Sequence, residues 1–244
     1  MGDVHLVKLR NLTIRTHARQ LVSEIDLDCY EGRVTALMGP SGSGKSLTAR
    51  AVMGCLDVDP GLVDGTLHYP ALDDRDWYAP VRGQGMRAQR RLLKDSAPLR
   101  GSYFTYSPQA ASSALNPGRT LGQQLALAIR RRRQPPEDLS RAIRDLLSEV
   151  GLAPSDSRLL PSEMSGGMNQ RAALAIAVAP LPRLVIADEP ETGLDPVLTR
   201  GVIELMVDVC RDHRCGLLLI SHHQQTVDKI ADDVVHLPGV EVAP

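Results

Sequence analysis

Gly39-Pro40-Ser41-Gly42-Ser43-Gly44-Lys45-Ser46 satisfies the spacing G-x-x-x-x-G-K-[ST] at every position. Glycines at this spacing let backbone N–H groups turn inward around a phosphate. The residues in front of it, Arg33-Val34-Thr35-Ala36-Leu37-Met38, form a compact apolar run that fits a buried strand of a parallel or mixed sheet. A helix is expected from Lys45 to about Gly54, with its positive end aimed at the bound anion. In that setting Lys45 supplies a point charge to the β- and γ-phosphates, and Ser46 a hydroxyl ligand for Mg²⁺. A strand, a glycine loop and a helix in this order point to a site for a nucleoside triphosphate.

Working outward, the chain has 244 residues, 43 % of them hydrophobic and 23 % charged, which permits a buried core and argues against global disorder. The net formal charge of -1 provides no chain-wide basic field, and the 3 % aromatic content leaves little to stack on bases, so no nucleic-acid partner is expected. No segment reaches the roughly 18 to 20 apolar residues that span a bilayer. Met1-Gly2-Asp3-Val4-His5 lacks the basic start and apolar stretch of a secretory signal. Cys29, Cys55, Cys210 and Cys215 show no C-x-x-C pairing and read as reduced thiols of a cytosolic protein. Cys210, His213 and Cys215 are spaced for a metal, but no fourth ligand accompanies them.

Residues 4–9 and 12–14 alternate in the manner of antiparallel strands. Residues 55–105 read as irregular, apart from a strand at 66–69. Leu121, Leu125 and Ile129, then Leu139, Ile143, Leu146 and Leu147, recur at helical steps, with Pro135 and Pro136 between the two helices. Residues 130–133, all arginine, close the first of these as a solvated helix end. Beyond residue 165 the expected order is helix to 179, strand 184–187, helix 197–213 and strand 217–220. That alternation is an α/β core, and the helical stretch before it reads as an insert.

Three further constellations carry chemistry. The apolar run Leu184-Val185-Ile186-Ala187 ends in Asp188-Glu189, where an aspartate can hold the Mg²⁺ of a bound triphosphate. Glu189, facing the other way, is placed to orient or deprotonate an attacking water. Ser221-His222 ends the next apolar strand, at the edge where open α/β sheets bind ligands, so His222 is a candidate for the γ-phosphate and His223 a surface residue. Finally, in Glu163-Met164-Ser165-Gly166-Gly167-Met168-Asn169-Gln170-Arg171, Ser-Gly-Gly opens an alanine-rich helix and offers a second anion site. Two phosphate devices in one chain suggest a head-to-tail dimer, each glycine loop facing the other subunit's Ser-Gly-Gly across one nucleotide.

With these residues in order, the chain resembles the ATP-binding cassette of ABC transporters from residue 4 to about 237. The resemblance implies a P-loop NTPase core of α/β class with a mixed sheet, an antiparallel β subdomain and an inserted helical subdomain at about 110–165, all within a single domain over 1–244. It implies ATP and Mg²⁺ as ligands, bound by Gly39, Ser41, Gly42, Ser43, Gly44, Lys45, Ser46 and Leu47 of the loop. Asp188 and Gln109 are implied on the same nucleotide, with Ser165, Gly166, Gly167 and Asp195 from the dimer interface. Ser46, Gln109 and Asp188 would hold the metal. Gln109, in Tyr106-Ser107-Pro108-Gln109, resembles the Q-loop glutamine that touches Mg²⁺ and the water. Thr192-Gly193-Leu194-Asp195 resembles the D-loop, and His222 the switch histidine; Glu189, His222, Lys45 and Gln109 would carry the catalysis.

Met168, where many cassettes have Gln, and Ala114-Leu115-Asn116-Pro117 look like the ATPases of oligopeptide, dipeptide and nickel importers, including those for metal–chelator complexes, with the nickel type nearest. The implied partners are two transmembrane permease subunits, a second cassette, identical or paralogous, and, indirectly, an extracytoplasmic binding protein. The implied location is peripheral, on the cytoplasmic face of the inner membrane. A soluble cassette of the carbon–phosphorus lyase type is the alternative. Three features depart from the family: residues 15–19 lack the aromatic ring that stacks on adenine, leaving His17 or Arg19 to do so; His223 replaces an acidic residue; and the sequence stops at Pro244, short of the cysteine-bearing extension of many peptide-importer ATPases.

Overall fold

A computed structural model describes residues 3–109, 114–192 and 196–239. In chain order the elements begin with β1 (His5–Thr16), β2 (Gln20–Tyr30), β3 (Val34–Met38), α1 (Lys45–Val52), β4 (Pro60–His68) and α2 (Gly85–Asp95). They continue with β5 (Phe104–Ser107), α3 (Leu121–Ile129), α4 (Leu139–Glu149), α5 (Gly166–Val178), β6 (Leu184–Asp188), α6 (Pro196–Asp212), β7 (Gly216–Ile220), α7 (Gln224–Ile230) and β8 (Asp233–His236). The chain is α/β, and it divides into two compact units, Met1–Arg100 with Leu218–Pro244, and Gly101–Leu217. Among the described residues no helix is long and apolar enough to cross a membrane.

In the first unit β2, β1 and β4 form an antiparallel sheet with β1 central. The two alternating stretches of the amino terminus are one strand. Val7 and Leu9 are buried in one phase and Leu12 and Ile14 in the other. The slip of one residue is absorbed at Asn11, whose φ of 53° marks a bulge. Its amide donates to Asp26 Oδ1 at 2.7 Å. The facing strand slips in step: Glu24 has φ 50°, and Leu12 pairs with Ile25 while Ile14 pairs with Val22. Beside this sheet β3 pairs in parallel with β8, and Val227 of α7 packs on Ala36 and Met38.

Residues 55–105 are more ordered than their composition suggests. Strand β4 begins at Pro60, six residues before the expected strand, and α2 occupies a stretch read as irregular. Only Gln89 and Leu92 of α2 are buried, too few for an apolar period to show. Gln89 Nε2 holds the helix in place by donating to the carbonyls of Val58 (3.0 Å) and Pro60 (2.9 Å). Two tyrosines of this region serve α1: Tyr69 Oη donates to Val52 O at 2.6 Å and Tyr78 Oη to Ala51 O at 2.8 Å. Both tyrosines are fully buried, and burial pushes the Tyr78 phenol above its usual range, so it stays a donor. Two carbonyls at the end of α1 thus gain partners from side chains remote in sequence.

In the second unit β5 and β6 pair in parallel, Tyr106 opposite Ile186 and Ser107 opposite Ala187. All five residues of β6 are buried. Helix α3 opens on a capping box, Thr120 with Gln123, and α4 on Asp138 accepting from the Arg141 amide. Of the arginines after α3, Arg130, Arg131 and Arg133 are exposed, as a solvated helix end would be, whereas the half-buried Arg132 donates through Nε to the carbonyl of Ala179, the C-cap of α5, at 2.7 Å. His213 turns to Glu149 (2.9 Å), while the Cys215 thiol donates to the Cys210 carbonyl at 3.4 Å.

Cys29, Cys210 and Cys215 are buried and Cys55 is half-buried. Burial, with Asp28 and Asp233 nearby, pushes the Cys29 thiol up to about 12. At pH 8 an aromatic disulfide reagent is expected to titrate about one thiol per native chain, at Cys55. Denaturation should expose all four.

Candidate functional site

In the first unit the glycine loop leaves buried β3 and enters α1. Gly39 (φ 151°) runs so close to the segment after β8 that a Cβ there would lie 2.8 Å from the Leu237 carbonyl. Gly44 (φ 93°) is the N-cap of α1, and a Cβ would meet Leu21 O at 2.7 Å. Both positions require glycine for reasons internal to the chain. Lys45 is 6 % exposed, and its Nζ arches over the loop to donate to Gly39 O (2.9 Å) and Pro40 O (3.1 Å). Ser41, Gly42 and Ser46 are exposed and Leu47 is half-buried.

Ser43 is buried with its Oγ unpartnered, a state that costs free energy unless a ligand or water completes it. The residues present therefore fit a phosphate-bearing ligand. Ser43 also lines a cavity of about 340 Å³ bounded by Gln20, Leu21, Val22, Ile25 and Leu237. Neither His17 nor Arg19 lines it. His17 Nε2 lies 3.1 Å from Asp59 Oδ2, and Thr16 Oγ1 closes the turn by accepting from the Arg19 amide at 3.0 Å.

The same unit carries His222 and His223, both exposed, with ring centroids 4.4 Å apart. They follow fully buried Ser221, whose Oγ accepts from the His223 amide at 3.1 Å. His223, read as a surface residue, is indeed exposed, and its ring lies against that of His222.

In the second unit the acidic pair ends β6. Asp188 is 5 % exposed, and Tyr106 Oη, on the paired strand β5, donates to its Oδ2 at 2.7 Å. A buried carboxylate needs such donors. Glu189 has φ 45°, a left-handed backbone that costs on the order of 1 kcal/mol for a residue with a Cβ and that turns its side chain away from the strand. Gln109 Nε2 donates to Glu189 Oε2 at 3.0 Å. The turn is held from below: the Thr192 amide donates to Glu189 O at 3.0 Å, and Gln170 Nε2 donates to Pro190 O at 2.9 Å. Replacing Tyr106 by Phe is expected to cost about 1 kcal/mol, the net value of one hydrogen bond. In a chain of this length that lowers Tm by roughly 2–4 °C, readable by thermal denaturation.

Ser165 caps α5, its Oγ accepting from the Met168 amide at 3.3 Å. Gly166 and Gly167 differ from the loop glycines. Neither has a left-handed φ, and a Cβ at either would meet nothing within 4 Å. Among the described residues nothing explains glycine at two positions where alanine favours the helix by up to about 1 kcal/mol. Asp195 lies outside the described residues.

The structure thus joins Asp188, Glu189 and Gln109 with Tyr106 in one unit, and through Gln170 ties their turn to the helix that Ser165 caps. It joins Lys45, Ser43 and the loop glycines in the other. Tyr106 and Gln170 carried no assigned role in the sequence, since their partners stand 82 and 20 residues away and leave no local pattern.

The sequence profile of the ABC transporter family matches residues 22–192. The oligopeptide transport ATP-binding protein AppD of Bacillus subtilis is 33 % identical over 219 residues, covering 88 % of this chain and 62 % of its own length. The dipeptide transport ATP-binding protein DppD of Escherichia coli is 34 % identical over 218 residues, with the same coverage, 88 % and 62 %. The chain therefore spans about three fifths of the length of these relatives. Among solved structures, cbiO1 from Clostridium perfringens, part of the ABC transporter complex cbiONQ, superposes with a TM-score of 0.73 at 19 % identity. That match covers 97 % of this chain and 85 % of the other, a likeness of fold.

Proposed function

This chain belongs to the ABC transporter family, and we propose on that basis that it is the ATP-hydrolysing subunit of an importer for peptides, nickel or metal–chelator complexes. Peptide import is supported by the names of the two relatives. The observation that carries the motor reading is the pair of glycines after Ser165, which no contact among the described residues explains. A close approach from outside explains them. In a head-to-tail dimer the outside group is the γ-phosphate of a nucleotide held by the partner's glycine loop, so that ATP joins two cassettes and hydrolysis releases them. The two units form, in this reading, one ATP-binding domain with its helical subdomain at about 110–165.

Ser46, Gln109 and Asp188 would hold Mg²⁺ by family likeness, their hydroxyl, carboxamide and carboxylate oxygens being hard donors of the kind it takes. When bound it neutralises charge on the β- and γ-phosphates. Tyr106 orients Asp188 for that task. Lys45 and the loop amides hold the triphosphate, and Leu47 follows them into α1. Glu189 accepts a proton from the water that attacks the γ-phosphorus, while Gln109 fixes the carboxylate by donating to Oε2. His222 and Asp195 are assigned to the γ-phosphate and the dimer interface by family likeness.

Gly166→Ala should leave Tm unchanged or slightly raised, yet lower ATP hydrolysis at least about tenfold by placing a methyl group in the path of the partner nucleotide. Full activity in that variant would remove the argument from the open glycines. The broader reading is tested by purifying the tagged chain from its native cells in mild detergent. Two multispanning membrane proteins and a second cassette are expected with it, at the cytoplasmic face of the membrane, and an extracytoplasmic binding protein should be required for uptake. Recovery with soluble proteins alone would replace the importer by a cytosolic cassette of the carbon–phosphorus lyase kind.

A further inference from the structure

Helix α6 ends in a geometry that sets two sulfurs side by side. The Arg214 amide donates to Arg211 O at 3.0 Å and the Cys215 amide to Cys210 O at 2.9 Å, the two bonds of a Schellman motif. Arg214, with φ 53°, takes the left-handed position of that motif, where glycine is usual. The motif brings together the side chains of the two residues joined by its longer bond, a contact that apolar groups normally make. Here the two are Cys210 and Cys215, each 1 % exposed. The Cys215 thiol reaches Cys210 O at 3.4 Å, and the Cys210 thiol lies within hydrogen-bond reach of the Cys215 sulfur. That second bond holds Cys215 below its usual range against the opposing effect of burial. The same bond, together with burial, pushes Cys210 up, so Cys215 is the first of the two to ionise.

His213, between them in sequence, is turned to Glu149 at 2.9 Å, and among the described residues no group of three metal-binding side chains includes either cysteine. We propose that Cys210 and Cys215 form a reversible disulfide: a small hydroperoxide closes it, stapling the end of α6 to the start of β7, and a dithiol reductant opens it. In the first step the Cys215 thiolate attacks a peroxide oxygen, the O–O bond breaks, and the departing hydroxide takes up the proton that Cys215 released. In the second the Cys210 sulfur displaces the hydroxyl of the sulfenic acid so formed, and the Cys210 proton leaves with it as water. Two thiols and one hydrogen peroxide give one disulfide and two waters; the sulfurs lose two electrons and the peroxide gains them. The other two cysteines lack this route. Cys29 is held protonated, its thiol pushed up to about 12, and Cys55 Sγ accepts from Arg100 Nη1 at 3.5 Å rather than from a second thiol. Burial keeps a bulky aromatic reagent from the pair, whereas hydrogen peroxide, little larger than water, enters when the helix end opens locally. The chemistry is independent of nucleotide binding.

The test is made on the reduced full chain, treated with a modest excess of hydrogen peroxide at pH 8, then denatured in an alkylating reagent and digested with trypsin. Cleavage after Arg211 and Arg214 parts the two cysteines, so their disulfide appears as a linked pair of peptides, 201–211 with 215–229. That pair is expected in most chains, is lost on treatment with dithiothreitol, and should accompany a Tm about 2–8 °C above that of the reduced chain. Cys210→Ala and Cys215→Ala should each abolish it, and because both readouts come from the parent chain, a variant that fails to fold leaves them standing. Peroxide that oxidises Cys55 while Cys210 and Cys215 are both recovered alkylated would overturn the proposal. So would links from either one to Cys29 or Cys55 in like amount. An oxidised chain that melts below the reduced one would overturn the staple.

Discussion

Glu189→Gln is expected to lower steady-state ATP hydrolysis by about 10²–10⁴-fold, the range of a general base, while leaving ATP affinity within about threefold of the parent. The substitution is conservative in every respect but one. The amide oxygen of Gln still accepts from Gln109, now 3.0 Å from Glu189 Oε2, and the left-handed backbone at 189 suits Gln no worse than Glu. What disappears is the capacity to take a proton from water. With binding retained and turnover blocked, the ATP-bound dimer should accumulate, visible as an ATP-dependent doubling of mass in size-exclusion chromatography with light scattering. An unchanged hydrolysis rate would remove Glu189 from the chemistry. Lost hydrolysis with no doubling of mass would keep the base but count against the head-to-tail arrangement.

Lys45→Ala should abolish measurable nucleotide binding, with affinity for ATP falling at least about a hundredfold and hydrolysis reduced below detection. The side chain is nearly buried, and its two carbonyl partners, on Gly39 and Pro40, hold the amine above the loop. Losing it removes a point charge from the phosphates and leaves those carbonyls in need of water. The two consequences separate by experiment. Calorimetric titration with ATP and with tripolyphosphate reads the charge, and Tm reads the loop. A variant that melts normally yet binds ATP as the parent does would show that the loop holds phosphate through its amides alone.

Different parts of the molecule were legible to different degrees. The glycine loop is readable because a phosphate cradle is made of consecutive backbone groups, and the glycines that permit it appear at fixed spacing. Strands β3, β6 and β7 are readable because burial on both faces makes them unbroken apolar runs. Strand β1 was half-legible: both of its alternating phases show, but the bulge at Asn11 that unites them looks like a break. Helix α2 was invisible, since a helix fastened by one buried Gln and one buried Leu has no periodic stripe to detect.

The sequence by itself determined the α/β class, the phosphate loop, the acidic end of β6 and the Ser-Gly-Gly helix start, because each depends on neighbours within a few residues. Only the tertiary structure decided which side chains complete them. Tyr106 reaches Asp188, Gln170 reaches the Glu189 turn, and Tyr69 and Tyr78 reach the end of α1. It also decided that Leu21, Val22, Ile25 and Leu237 gather around the hollow beside Ser43 while His17 is turned to Asp59. The reason is physical: a hydrogen bond between side chain and backbone, or the wall of a cavity, requires proximity in space, and the folded path supplies that without leaving a pattern in the order of the residues.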